Sequence, residues 1–321
     1  MREGQFIKQN IKRWKSYQEP TEDPDEVANR FKYLVEDLSY ATTFYPFSNT
    51  VRYINSLASG IYLSIYRNKK EKKHRVLTFW TTELPLLMHR HRRTLLFAFL
   101  FFAVFVAIGA LSAARDQDFI RSVLGDGYVD MTERNIANGD PFGVYKDSGA
   151  FYMFAYIAFN NIKVSMLTYM FGLLASVGTL WHLFNNGLML GVFEYMFFHH
   201  GIGFKSILVV FIHGTLEISA LVIAGCAGMI LGNSMLFPGT YTRIQSFTRA
   251  AKDSIKILVS LIPVFIVAAF FESFVTRHTE MPLWASLSIL GGSLSFVLWY
   301  FVFYPIKISK KESQKHAPVT I

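Results

Sequence analysis

The chain has 321 residues, 52% hydrophobic and 17% charged, with a formal net charge of +9, one cysteine and 31 phenylalanines. A lone cysteine excludes a disulfide-stapled secreted scaffold, and so many phenylalanines exclude a disordered chain. Charges crowd into residues 1–93, 115–150 and the C-terminal tail; the apolar runs between them approach the roughly 20 residues that a helix needs to cross a bilayer, which excludes a single water-soluble globule.

Residues 1–93 read as a cytoplasmic helical and interfacial region. Phe6, Ile7, Ile11 and Trp14 recur at helical spacing among Lys8, Lys12, Arg13 and Lys15, as in a short basic amphipathic helix lying on the membrane. After a break at Glu19 to Pro24, a helix carries Val27, Phe31, Leu34, Leu38 and Ala41 on one face and stops at Pro46. Ser48 can cap the next helix, with Val51, Ile54, Leu57, Ile61 and Ile65. The short turn between them predicts an antiparallel hairpin. Val76 to Met88 reads as an interfacial lead-in to the membrane.

Arg67, Lys69, Lys70, Lys72, Lys73, Arg75, Arg90, Arg92 and Arg93 precede the first apolar run. The positive-inside rule then puts the N-terminus in the cytoplasm, where these residues can meet anionic lipid. No nucleic-acid recognition motif accompanies the charge. The first run long enough to insert starts near Thr94, so no cleavable signal peptide is expected.

The first span is expected over Thr94 to Ala113. The loop 115–150 holds Asp116, Asp118, Asp126, Asp130, Glu133, Asp140 and Asp147 but few basic residues, which suits the outside. Phe151 to Asn161 is expected at the outer interface. A second span follows from about Lys163 to Trp181, interrupted by His182, Asn185, Asn186 and Gly187. A short third continues to about Phe198, where His199-His200-Gly201 ends it. The fourth covers about Ser206 to Leu231, the fifth Ile255 to Phe271 with a kink at Pro263, and the sixth Leu283 to Phe303. Lys307, Lys310, Lys311 and Lys315 hold the C-terminal tail, 306–321, inside. The expected fold is all-α: a polytopic membrane helical bundle of about six spans over 94–305. Its weak point is the second and third spans, which can also be read as re-entrant.

Small residues mark close helix approach. Ala220, Ala224, Gly228 and Gly232 recur every four residues in the fourth span. Ser288, Gly291, Gly292 and Ser295 do so in the sixth, and Gly172, Ala175, Ser176 and Thr179 in the second. Packing within one bundle is the expected reading, with homo-oligomerisation as its alternative. Cys226 belongs to that packing.

A polar set lies inside the apolar runs. His213 and Glu217 are one helical turn apart and share a face. An ionisable group at such depth is costly and marks a functional site by default. Asn160, Asn161, His182, Asn185, Asn186, Glu194, His199, His200 and Glu272 are candidates to meet them. An interhelical hydrogen-bond network, a substrate, lipid-headgroup or proton pathway, and catalysis all remain open readings. The segment His-Gly-Thr-Leu-Glu lacks the second histidine of a zinc peptidase motif; His199 or His182 would have to be a third ligand. No GxSxG elbow, Walker A loop or GxGxxG is present. Catalytic residues, metal and cofactor are therefore each expected to be none.

Three segments carry a family resemblance: Asn160-Asn161-Ile162-Lys163-Val164, His182-Leu-Phe-Asn185-Asn186-Gly187-Leu-Met-Leu-Gly191, and His213-Gly214-Thr-Leu-Glu217-Ile-Ser-Ala220. From about Arg90 to Pro305 the chain resembles the stage II sporulation protein M family, and its N-terminal region resembles the longer branch found in bacteria that do not sporulate. The resemblance implies a membrane partner of peptidoglycan-degrading enzymes rather than a hydrolase, with His213, Glu217, Asn160, Asn161, Asn185 and Asn186 as the residues of interest. A bacterial inner-membrane location is expected, with both termini placed in the cytoplasm by their basic flanks. The expected function is a non-catalytic scaffold in envelope remodelling, in contact with lipid and other envelope proteins. The alternative is a transporter or lipid-handling protein built on broken second and third spans.

Overall fold

The computed structural model describes residues 1–19, 21, 23–67, 74–143, 149–277 and 281–315. The basic residues Lys69, Lys70, Lys72 and Lys73, the acidic Asp147 and the tail beyond 315 lie outside the described residues. Every described element is helical, and the chain forms two compact units, Met1–Arg75 and Val76–Ile321.

The first unit contains α1 (Glu3–Ser16), α2 (Pro24–Phe44) and α3 (Asn49–Arg67). Asp23 caps α2 by accepting from the Asp25 N–H, and Pro24 occupies the first turn, where a missing N–H costs nothing. Leu34 and Ala41 of α2 bury against Ile54 and Ala58 of α3, as the expected hairpin requires. The role expected for α1 is corrected. Its apolar face does not lie on a membrane: Phe6 and Trp14 are buried in this unit's core. Asp37 fixes the helix there, accepting from Trp14 Nε1 at 2.7 Å and Arg13 at 2.6 Å. Ser48 accepts from the Thr50 N–H at 2.9 Å and donates to Glu3, which also accepts from the Thr50 hydroxyl at 2.7 Å. These hydrogen bonds hold the Glu3 carboxyl below its ordinary value.

The second unit begins with a lead-in. Short α4 (Arg75–Thr78) runs through a π-helical turn, Phe79–Glu83, into α5 (Leu84–Arg90). Leu84, Leu87 and Met88 are buried in the bundle core. Arg90 pairs with Asp253 at 2.8 Å, Lys256 pairs with Glu83, and the Tyr300 hydroxyl donates to Trp80 O at 2.7 Å. The division between the two compact units falls at Arg75.

α6 (Arg92–Arg115) follows, then α7 (Gln117–Leu124) and α8 (Asp126–Ala137) within the expected outer loop. Ile120, Val129 and Phe142 of that loop pack on Val192, Met196, Phe197, Val209 and Val210. α9 (Ala150–Met170) leads through a 3-10 turn, Phe171–Leu173, to α10 (Val177–His199). The remaining helices are α11 (Gly203–Leu236), α12 (Arg243–Phe270), α13 (Leu283–Leu298) and α14 (Tyr304–Lys315). π-helical turns at Phe271–Val275 and Trp299–Phe303 prolong α12 and join α13 to α14. Among the described residues, four helical stretches are long and apolar enough to cross a membrane: Arg92–Arg115, Gly203–Leu236, Arg243–Val275 and Leu283–Gln314.

The second and third expected spans are redrawn. Phe151–Asn161 is not a separate interfacial segment but the first half of α9. The break falls at residues 171–176, where Ala175 and Ser176 adopt positive φ of 51° and 67°, and His182 to Gly187 are continuous helix. The polar residues do not interrupt α10 because their side chains bond back into it: Asn185 Nδ2 donates to Trp181 O and Asn186 Nδ2 to His182 O, both at 2.8 Å.

α11 is the buried axis of the bundle, packed against α6, α9, α10, α12 and α13. A Cβ on Gly172 would lie 2.2 Å from the Gly228 carbonyl oxygen, and one on Gly232 2.3 Å from the Ser176 nitrogen. The small stripe of α11 therefore receives the turn between α9 and α10. Gly191 makes a second close approach, its ideal Cβ falling 2.0 Å from Val106 O of α6. Cys226 is buried beside this seam. The sixth-span small set is corrected: Ser288, Gly291, Gly292 and Ser295 are exposed, and α13 buries Ser286, Ser293 and Val297 instead.

Gly228→Leu or Gly191→Leu is expected to lower the thermal unfolding midpoint in detergent strongly, or to prevent folding. Gly60→Ala, in open space on α3, is expected to be neutral or stabilising by up to about 1 kcal/mol. Glu3 gives a pH signature. Its lowered value adds stability that is complete above the ordinary value of 4.5 and lost as pH falls through the folded value. Amide exchange at the start of α3, corrected for intrinsic rate, should accelerate on acidification in the wild type. In Glu3→Gln it should already be fast at neutral pH.

Candidate functional site

The polar centre is assembled on α11. One turn of helix puts His213 and Glu217 on the same side, and both line a cavity of about 510 Å³. Asn160 and Asn161 of α9 and Asn186 of α10 line it as well. Its remaining wall is apolar, from residues such as Phe102, Leu190, Phe193 and Phe265, and Val123, Leu124 and Tyr128 of α7 and α8 also border it. The folded loop between α6 and α9 thus takes part in closing the space.

Asn161 Nδ2 donates to Glu217 Oε1, and Glu217 is also hydrogen-bonded to Glu272. His213, 4% exposed, has Nδ1 3.0 Å from the Thr276 hydroxyl and Nε2 4.0 Å from Glu272 Oε2. One ligand-type atom from each of His213, Glu217 and Glu272 lies within 4.8 Å of the others. The arrangement can hold a proton between the carboxyl groups, or a cation between all three side chains.

Other candidates fall into separate places. His182 Nδ1 lies 2.8 Å from the Thr168 hydroxyl and 3.3 Å from Asn186 Nδ2, forming a second polar node joined to the cavity through Asn186. Asn185 is exposed and outside the cavity. Glu194 accepts from Ser206 at 3.4 Å and does not line the cavity. His199 and His200 end α10, and His200 Nδ1 contacts its own helix at Met196 O. The third partner of His213 and Glu217 is therefore Glu272, not His199 or His182. Sequence reading missed Thr276 and Tyr128. Thr276 could have been found as the residue one turn beyond Glu272; Tyr128 lies in the loop and carried no signal.

An all-helical fold with apolar spanning helices and an ionisable centre inside the bundle defines a polytopic membrane protein. The family model for stage II sporulation protein M matches residues 98–277, more than half of the 321-residue chain, and the chain belongs to that family. The match spans α6 to the Thr276 end of α12, so it contains the entire polar centre. A domain of unknown function (DUF8413) matches residues 4–67, the three helices of the first unit. No curated protein and no solved structure matches the chain.

Asn161→Ala leaves a buried carboxyl oxygen without its donor, which costs about 1–3 kcal/mol. It should lower the unfolding midpoint measurably in detergent, whereas Asn185→Ala, on the exposed side of the neighbouring helix, should not.

Proposed function

We propose that this protein is a six-span inner-membrane protein that holds an amphipathic small molecule in its intramembrane cavity. The cavity itself carries the reading. Its volume falls within the range of small-molecule sites, and apolar walls with a few convergent polar groups are the usual composition of such sites. In the six-span arrangement α9 and α10 are both crossings. Their 21 and 23 residues correspond to about 31 and 35 Å of helix, enough for the hydrocarbon core. Both termini are then cytoplasmic, and α7 and α8 lie outside, over the mouth of the cavity.

The lining selects the ligand class. Asn160, Asn161, Asn186 and Glu217 offer acceptors and amide donors, and among the described residues no lysine or arginine lines the space. A hydroxylated or amine-bearing headgroup on an apolar body fits better than an anion. This lining supports a lipid-handling reading. A second reading, a scaffold in envelope remodelling, is favoured by one other observation: the loop helices are a folded surface, with Arg121 bridging Asp130 at 2.7 Å, Asp126 at 3.3 Å and Glu133 at 3.5 Å.

Lipid extracted from the purified protein should be enriched in one class over the surrounding membrane. Gly214→Phe is the matched variant, because Gly214 lines the cavity and its side-chain direction meets nothing closer than 3.7 Å. It should abolish the enrichment while the protein stays folded. Bulk-membrane proportions in the wild type would sink the lipid reading and leave the scaffold, to be pursued by crosslinking from α7 and α8.

A further inference from the structure

We propose that His213, Glu217 and Glu272 form a binding site for one divalent transition-metal ion, with open coordination facing the cavity. The inference does not depend on what the cavity holds.

The first argument is ligand geometry. The three side chains come from two helices and offer one nitrogen and two carboxylate oxygens, mutually within 4.8 Å. Around a tetrahedral ion with bonds of about 2.1 Å the ligand atoms lie about 3.4 Å apart, so the 4.0 Å between His213 Nε2 and Glu272 Oε2 must close slightly. Any separation near the 4.8 Å limit must close by about 1.4 Å, within reach of side-chain rotation of a carboxylate.

The second argument is the surrounding shell. A metal-bound histidine gives its other ring nitrogen to a fixed acceptor, which sets the tautomer. Here the Thr276 hydroxyl oxygen lies 3.0 Å from His213 Nδ1. With the proton there, the Nε2 lone pair faces the carboxylates. Asn161 Nδ2 occupies Glu217 Oε1, orienting that carboxylate in the same manner.

Charge balance is the third argument. Two carboxylates in an apolar interior repel each other and lose hydration. A divalent cation neutralises both, leaving a centre with no net charge. His213 and Glu217 line the cavity while Glu272 does not, so Glu272 backs the ion and its free positions point into the open space. Three protein ligands with a remaining open position is the pattern of a reactive rather than a closed structural site. A mixed nitrogen and oxygen set suits zinc, manganese or iron over calcium or magnesium.

The test uses the full-length chain in detergent, stripped with chelator and then loaded with Zn²⁺ or Co²⁺. Bound metal is measured by equilibrium dialysis with elemental analysis, and the Co²⁺ form by its visible absorption. One ion per chain is expected. Glu272→Gln and His213→Ala should each weaken binding at least tenfold and change the Co²⁺ spectrum. Thr276→Val keeps all three ligands and should weaken binding by about 10–100-fold, so it decides the matter if a ligand variant does not fold. His199→Ala/His200→Ala should bind as the wild type does. Folded wild type without stoichiometric metal overturns the site in favour of a proton shared by the carboxyl groups. So does metal retained by Thr276→Val and the folded ligand variants, or metal lost with the His199/His200 pair.

Discussion

The close approach of backbones at glycine is the constraint on which this bundle rests. Lipid tails are as apolar as leucine side chains, so helices in a bilayer gain little by hiding apolar surface from one another. What remains is dispersion at short range and the hydrogen bonds that short range allows. Gly228 and Gly232 let the turn of the α9–α10 hairpin sit directly on α11. At that contact the Thr179 hydroxyl donates to Thr168 O at 2.8 Å, and Ser176 Oγ reaches Met229 O at 3.3 Å. Gly191 performs the same service between α10 and α6. With both seams closed, α9 and α10 stand at fixed rotations beside α11, and Asn161 and Asn186 face the interior.

The polar centre follows from that placement. α11 has a packing face toward its C-terminal half and an ionisable face at His213 and Glu217, one helix serving both ends of the bundle. Where small residues close the seam, the helices touch. Nearer the N-terminal end of α11, larger residues and the loop helices hold them apart, and the cavity opens. Tight packing at one end and polar space at the other are consequences of a single sequence gradient along α11.

Much of this is legible in the sequence, and where the structure differs each difference has a physical reason. The spacing of His213 and Glu217, the four-residue stripe from Ala220 to Gly232, and the faces of α2 and α3, apart from the exposed Ile65, are local periodicities that the sequence carries. The break in the hairpin was misplaced because polarity was taken as interruption. His182, Asn185 and Asn186 look like a break in an apolar run, but amide side chains can bond to carbonyls one turn back and leave the helix whole. The real break, Leu174-Ala175-Ser176, carries no glycine at its positive-φ positions and thus no compositional mark. The sixth-span small residues mislead for a different reason: small size permits close approach but does not supply the neighbour. Trp14 shows the same limit, since an amphipathic face does not say whether lipid or protein will cover it.

The π-helical turn at Phe271–Val275 brings Glu272 and Thr276 to His213. The Thr276 N–H bonds to Phe271 O at 2.8 Å, five residues back, one residue wider than an α-helical turn. An extra residue rotates everything after it by about 100° relative to an unbroken α-helix. That rotation bears on Thr276, which follows the wide turn, relative to the body of α12. It lets Thr276 reach His213 Nδ1 while Glu272, within the turn, stays beside Nε2 and Glu217. Regular α-helix would keep the two residues at four-residue spacing but at a different rotation on the α12 body. π-turns are locally less favourable than α-helix and concentrate at functional sites. The other two π-turns among the described residues, Phe79–Glu83 and Trp299–Phe303, meet each other through Trp80 and Tyr300, a contact that anchors the lead-in. Among the described π-turns, the one at Glu272 is the one that adjoins the carboxylate and histidine cluster, and the wide turn sets how Glu272 and Thr276 face His213.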